Sequence, residues 1–264
     1  MADPFPFGTL GRRRLLIAAA ASCLPLAGRA AGIYTPYELA QRYREQVDLR
    51  LSLPAEEVRR YGAAAEEELI DYDEVLRAPQ YLLVVDSNPN VQAAFLFWRL
   101  MAGHYQLIGA SPVSTAGPVQ VSRLESPQGL FDQAHHAAAA RAVAATPRGG
   151  LRIYDFSSRR ARVAADSAGR SNLRLQARAA DRQSARFLGS ARSDGSILLP
   201  ATLIAFLDEF GVLDAGAAGT VPTAEGRPRL PYPGRFMLVI DSERDDRPEW
   251  SPSPEAALAT AALR

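Results

Sequence analysis

Two stretches constrain the fold more than any others: Tyr81-Leu82-Leu83-Val84-Val85-Asp86-Ser87 and Phe236-Met237-Leu238-Val239-Ile240-Asp241-Ser242. Each is apolar at every position of a strand-length run, so both of its faces call for burial. Each stops at Asp-Ser, whose short polar side chains favour turns. Both are therefore expected near the centre of a sheet. Nothing around them repeats, so they read as two buried strands with similar stops rather than as halves of a duplication. Ser87-Asn88-Pro89-Asn90 turns into a run from Val91 to Trp98, and Gly103-His104 turns into Tyr105-Gln106-Leu107-Ile108, which predicts an antiparallel meander. With 19 Gly and 19 Pro in 264 residues, the turn content fits a mainly β domain, a β-sandwich with flanking helices.

Helical periodicity is confined to two places. From Ile33 to Asp73 the chain is rich in Ala, Glu and Arg. Leu39, Tyr43 and Val47 recur every four residues, and Glu56, Glu57, Glu66, Glu67 and Glu68 fall on what would be wet faces. Two helices are predicted, the second opened by Pro54 and the pair packed on a sheet edge. Later, Leu203, Phe206, Leu207 and Phe210 form one apolar stripe just after Pro200, which suits a first helical turn because its missing N–H costs nothing there. From Asp245 onward Pro, Ser and Ala predominate, which predicts a loose tail.

At the other end, Arg12-Arg13-Arg14 precedes an apolar run from Leu15 to Ala27 that is too short to span a bilayer and ends in small residues. This is the pattern of a secretory signal cut near Ala30, with no transmembrane anchor, and Arg12-Arg13 also permits the twin-Arg route. Cys23 as a lipid-modified residue is a weaker reading, since Ala20 stands where a Leu is expected. The predicted organisation is a signal at 1–30, a helical segment at 31–78, a main domain at 79–244 and the tail at 245–264. Export places the mature chain in the periplasm or outside the cell.

Removing Met1–Ala30 takes four Arg and one acidic residue from totals of 30 basic and 29 acidic, which leaves a net charge of −2. Nucleic acid is not the expected partner. The same cut removes Cys23, the one cysteine of the sequence, so the mature chain would have no thiol, disulfide or Cys-bound metal. All 30 basic residues are Arg, which excludes a Ser/Lys pair.

The candidate site lies just before the third predicted helix. Ser193-Asp194-Gly195-Ser196 places small residues where backbone N–H groups can turn inward together, as an oxyanion hole requires, with Ser196 at the mouth. Here the chain resembles the L,D-transpeptidase catalytic domain (YkuD-type), whose signature is a strand His followed later by Ser-x-Gly-Cys-x-Arg. Ser193 and Gly195 match that pattern. Ser196 stands where the family has its nucleophilic Cys, and Leu198 where it has Arg. On the upstream strand Leu173-Arg174-Leu175-Gln176-Ala177-Arg178, Gln176 occupies the His position, with Arg178 a second candidate for it. The likeness extends over roughly two thirds of the chain, through runs at 81–86, 91–98, 108–115, 126–131, 151–156, 213–215 and 236–241.

The resemblance implies acyl transfer on peptidoglycan stem peptides, with Cys as nucleophile and His as base. In this chain those two roles are vacated. A serine hydroxyl needs a positioned base, whereas the Gln176 amide does not titrate and the Arg178 guanidinium only donates. The three histidines, His104, His135 and His136, lie in a hairpin turn and an irregular segment. A Ser/His/Asp arrangement through His135 or His136 with Asp132 is a minor alternative. The same pair lacks a third ligand at metal spacing, and no cofactor is expected. Asp181 and Asp194 read as strand-end and turn residues rather than as bases for Ser196.

The expected function is a catalytically degenerate envelope protein that binds peptidoglycan stem peptides or scaffolds a cell-wall enzyme. In that role Ser193, Arg178 and Leu198 would be ligand contacts, with Gly195 shaping the turn. The alternative is a serine-dependent transpeptidase or carboxypeptidase acting on the same peptides.

Overall fold

A computed structural model describes residues 33–70, 72, 78–117, 127–133, 150–158, 174–215 and 230–251, all of them within one compact unit, Ala31–Arg264. The signal at 1–30 with Cys23, the pair His135 and His136, and the end of the tail from 252 lie outside the described residues.

The architecture is mainly β with helices. In chain order its elements are α1 (Pro36–Gln46), α2 (Ala55–Leu69), β1 (Gln80–Asp86), β2 (Ala93–Met101), β3 (His104–Pro112), β4 (Gly129–Gln133), β5 (Tyr154–Ser158), β6 (Arg174–Ala179), β7 (Ile197–Leu199), α3 (Ala201–Glu209) and β8 (Phe236–Ile240). The strands form one eight-stranded sheet in the order β3-β2-β1-β8-β4-β5-β6-β7. β1 and β8 sit side by side in the middle and run parallel, with Leu83 opposite Met237 and Val85 opposite Val239. The doubly apolar runs thus take the central places their composition calls for. β1, β2 and β3 form the expected meander.

All eight strands belong to this one sheet, and helices pack on both of its faces. Because side chains alternate along a strand, Tyr81, Leu83 and Val85 join one core with Met237 and Val239, while Leu82 and Val84 join the other with Phe236, Leu238 and Ile240. The first core is filled by α1 and α3. Leu39, Tyr43 and Val47 are 0%, 1% and 0% exposed, about 1.5–3 kcal/mol of burial each. The Tyr43 ring crosses Phe206 edge-on at 5.3 Å, and a Cβ at Gly109 would run into it. The second core is covered by α2, whose Tyr61 stacks on Phe95 at 4.1 Å. α1 and α2 therefore straddle the β3 edge instead of packing on it as a pair. The linker between them runs along that edge, where Leu51 N–H donates to the Ala110 carbonyl at 2.8 Å.

Local chemistry sets the helix ends. Thr35 and Glu38 form a reciprocal capping box at the start of α1, ahead of Pro36, while Pro54 and Pro200 precede α2 and α3. The two edges of the sheet meet just beyond β3, where Ser114 and Leu198 exchange backbone hydrogen bonds of 3.0 and 2.9 Å.

Composition predicted a loose tail from Asp245, yet the segment as far as Ser251 is docked. Arg244 pairs with Glu57 on α2. Arg247 Nη2 donates to the Pro89 carbonyl at 2.9 Å, and Ser251 Oγ to the Val91 carbonyl at 2.7 Å. Trp250 meets both Tyr61 and Phe95 edge-on at 6.0 Å.

Candidate functional site

β6 pairs in parallel with β7, with Ala177 opposite Ile197 and Arg178 opposite Leu198. Carried back one residue, this register sets Gln176 level with Ser196. Leu175, Ala177, Ile197 and Leu199 point into the core under α3, so the alternation of the strands turns Gln176, Arg178, Ser196 and Leu198 to the opposite face. The fold thus gathers onto one patch residues that lie about 20 apart in sequence.

The loop carrying Ser196 is fastened to the segment that follows β3. Gly189 N–H donates to the Val113 carbonyl at 2.7 Å and Ser193 N–H to the Thr115 carbonyl at 3.0 Å, while Arg192 N–H reaches Ser114 Oγ at 3.3 Å. Thr115 is itself held by the buried side chain of Gln92. The Gln92 amide donates to Thr115 Oγ1 at 2.8 Å, and its oxygen accepts from Thr115 N–H at 2.8 Å. Gln92 sits at φ 47°, a left-handed conformation that a non-glycine residue holds only when its surroundings fix it. Sequence reading singled out the run through Thr115 but not Gln92, whose signal, a polar residue at the head of an apolar strand, is shared by many turn residues.

Within the turn the backbone donors are spent on the turn itself. Gly195, at φ 104°, gives its N–H to Ser193 Oγ at 3.4 Å. Ser196 gives its N–H to Asp194 Oδ1 at 3.3 Å. An oxyanion hole needs donors aimed at the developing charge from about 2.7–3.1 Å, and these two point at side-chain acceptors within their own loop. Both contacts are long for an N–H···O bond, and they tie the two donors to side chains of their own turn.

The charged groups are committed as well. Arg178 Nη2 lies 3.0 Å from Asp194 Oδ2, with the two side chains 26% and 66% exposed, so the expected pocket cation is paired within its own chain. Partial burial raises the Asp194 pKa, but the Ser196 N–H, the Arg178 charge and hydrogen bonds from both side chains outweigh it. The carboxyl ends up below its ordinary value. Asp194 is thus a carboxylate beside Ser196, and a weak proton acceptor. Gln176 Nε2 donates at 2.8 Å to Asp155 Oδ1, its cross-strand neighbour on β5, a partner the sequence did not reveal because it depends on the β5–β6 register.

Leu198, expected as a ligand contact, is 2% exposed. The loop between β6 and β7 folds over it, and it packs with Ala180 and Leu188 and against Leu49 of the α1–α2 linker. Asp181 is occupied as a turn cap, accepting from the N–H groups of Gln183 and Ser184 at 3.0 and 2.8 Å. Asp132 is buried on β4 and paired with Arg235, and His104 is exposed at the β2–β3 turn, its Nδ1 3.0 Å from the Ala102 carbonyl. The described residues contain no cluster of three or more potential metal ligands.

No protein-family model matches the chain, and neither does any curated protein. Among solved structures, Bd1075 of Bdellovibrio bacteriovorus is 12% identical, over 70% of this chain and 54% of its own length, with a TM-score of 0.34. Pgp2 of Campylobacter jejuni, described as a helical cell shape determining protein, is 11% identical, over 87% of this chain and 62% of its own, with a TM-score of 0.33. A point mutant of Pgp2 matches at 9% identity with a TM-score of 0.34. The chain spans little more than half the length of these structures, and at such scores the likeness is faint.

Proposed function

We propose that this chain is an exported, catalytically degenerate L,D-transpeptidase-like protein of the cell envelope that binds peptidoglycan stem peptides or scaffolds a cell-wall enzyme. The observation that carries this reading is the state of the patch around Ser196. A hydroxyl stands at the nucleophile position and an amide at the base position, and the adjacent carboxylate is held ionised by Arg178 and the Ser196 N–H. Acyl transfer through serine needs a base able to take the hydroxyl proton and free donors for the oxyanion. The patch instead presents a partly exposed surface around Gln176, Ser193 and Ser196 whose polar groups are held in place by bonds within the chain, and a peptide would lie against that surface. The signal-like segment at 1–30 supports a periplasmic or secreted location.

Among the described residues the carboxylate beside Ser196 is Asp194, and a carboxyl with a lowered pKa is poorly suited to act as the base of the serine-dependent alternative. Co-sedimentation of the mature chain with purified sacculi tests the binding reading. The chain is expected in the pellet. Its remaining in the supernatant at every salt concentration would remove peptidoglycan as the ligand and leave only a protein partner.

A further inference from the structure

The loop from Gly189 to Ser196 is tied to Val113, Ser114 and Thr115, and Gln92 holds that segment in turn. Gln92 is fully buried, and its carboxamide uses its donors and its acceptor alike. Nε2 donates to the Ser87 carbonyl at 2.7 Å and to Thr115 Oγ1 at 2.8 Å. Oε1 accepts from the Thr115 N–H at 2.8 Å and from Thr115 Oγ1 at 3.2 Å. The Gln92 backbone carbonyl accepts the Val113 N–H at 2.9 Å. From Thr115 the bonds pass straight to the loop, because the Thr115 carbonyl accepts the Ser193 N–H at 3.0 Å.

The turn at 87–92 does not by itself call for this side chain. Its left-handed backbone, φ 47° at Gln92, would be met by glycine at no steric cost, whereas a glutamine there is strained and is held only by what surrounds it. What glutamine adds is a carboxamide aimed at both the N–H and the hydroxyl of Thr115, 23 residues away in the sequence. The docked C-terminal segment joins the same two parts. Arg247 Nη2 donates to the Pro89 carbonyl of the turn at 2.9 Å, and its Nη1 reaches the Gly189 carbonyl of the loop at 3.4 Å. Turn and loop are thus linked by two routes, and the shorter bonds run through Gln92.

We propose that Gln92 is a positioning residue of the Ser196 patch: acting through Thr115, its carboxamide sets the conformation of residues 189–196 and with it the surface offered to a ligand. The bearing on ligand binding rests on the reading given above, and the bearing on the loop does not.

Gln92→Gly tests this, since glycine keeps the left-handed turn and removes the carboxamide. The readout is the set of backbone amide resonances of the folded mature chain, which report local conformation and which a loss of global stability alone does not move. The signals of Ser193, Gly195 and Ser196 are expected to shift in Gln92→Gly, although none of these residues bonds to Gln92. A second pair of variants serves even where Gln92→Gly does not fold. Thr115→Val, which lacks the hydroxyl, should shift the same signals, and Thr115→Ser, which keeps it, should leave them near their natural positions. The apparent affinity of Gln92→Gly for purified sacculi should be about tenfold below that of the natural chain, the scale of one misplaced hydrogen bond. A natural chain that stays in the supernatant would remove the peptidoglycan reading, while the loop signals would still decide the positioning role. The proposal is overturned if those signals stay in place in Gln92→Gly and Thr115→Val, or if Thr115→Ser moves them as far as Thr115→Val does.

Discussion

Asp194 decides more about the site than Ser196 does. Its carboxylate takes up the Arg178 charge and the Ser196 N–H. Since the Asp194 side chain is 66% exposed and screened by solvent, Asp194→Asn is expected to change stability by less than about 1 kcal/mol, a difference that urea unfolding will measure. Leu198 behaves oppositely. Strand alternation put it on the same face as Ser196, but the sequence could not show that Ala180, Leu188 and Leu49 close over it. Leu198→Arg would bury an unpaired charge and should cost about 3–5 kcal/mol. A chain given Cys at 196 and His at 176 should therefore keep its melting temperature, and adding Leu198→Arg should lower it sharply. At Asp86, 0% exposed, burial raises the pKa although hydrogen bonds from Ser242, Tyr61 and Asn88 pull it down. A carboxyl raised in the folded state contributes stability that is complete below its unfolded pKa and is lost as pH rises through the folded one. The stability of the natural chain relative to Asp86→Asn should accordingly fall with pH from about pH 4 upward, read by urea titration across pH; a difference that stays flat or grows would contradict it.

Among the elements, those with a complete local signal were legible in advance. β1 and β8 carry uninterrupted apolar runs, α1 has its four-residue spacing of Leu39, Tyr43 and Val47, and α3 has Pro200 ahead of its stripe. β7 was not legible, because three residues are too few to establish a period and its pairing with β6 depends on the intervening loop. The docked segment at 245–251 escaped for a different reason. Its composition is that of a tail, and its anchors are single residues whose partners lie far away in sequence: Arg247 on the Pro89 carbonyl, Ser251 on the Val91 carbonyl and Trp250 on Tyr61. Trp250→Ala should destabilise the chain by about 2–3 kcal/mol, less than a fully buried Trp because the ring is partly exposed. Ending the chain after Asp246 should cost more, since it also removes Arg247 and Ser251. Equal melting temperatures for the shortened and full chains would mean that the segment contributes no stability.

At the scale of the whole molecule, one sheet divides the interior into two cores, and its edges meet where Ser114 pairs with Leu198. The candidate site lies beside that junction, on the face of β6 and β7 turned away from α3. This placement makes the patch well fixed in shape while its polar groups bond to one another, Gln176 to Asp155, Arg178 to Asp194 and Gly195 to Ser193. Groups bonded in this way are poorly placed for proton transfer, which is the ground of the proposed binding role. The central claim, that Ser196 performs no acyl transfer, is tested most directly by incubating the mature chain with a purified peptidoglycan disaccharide-tetrapeptide and following the mass of the substrate. The account predicts that the terminal D-alanine stays in place and that the natural chain and Ser196→Ala give the same spectrum. Release of that residue by the natural chain, lost in Ser196→Ala, would contradict it.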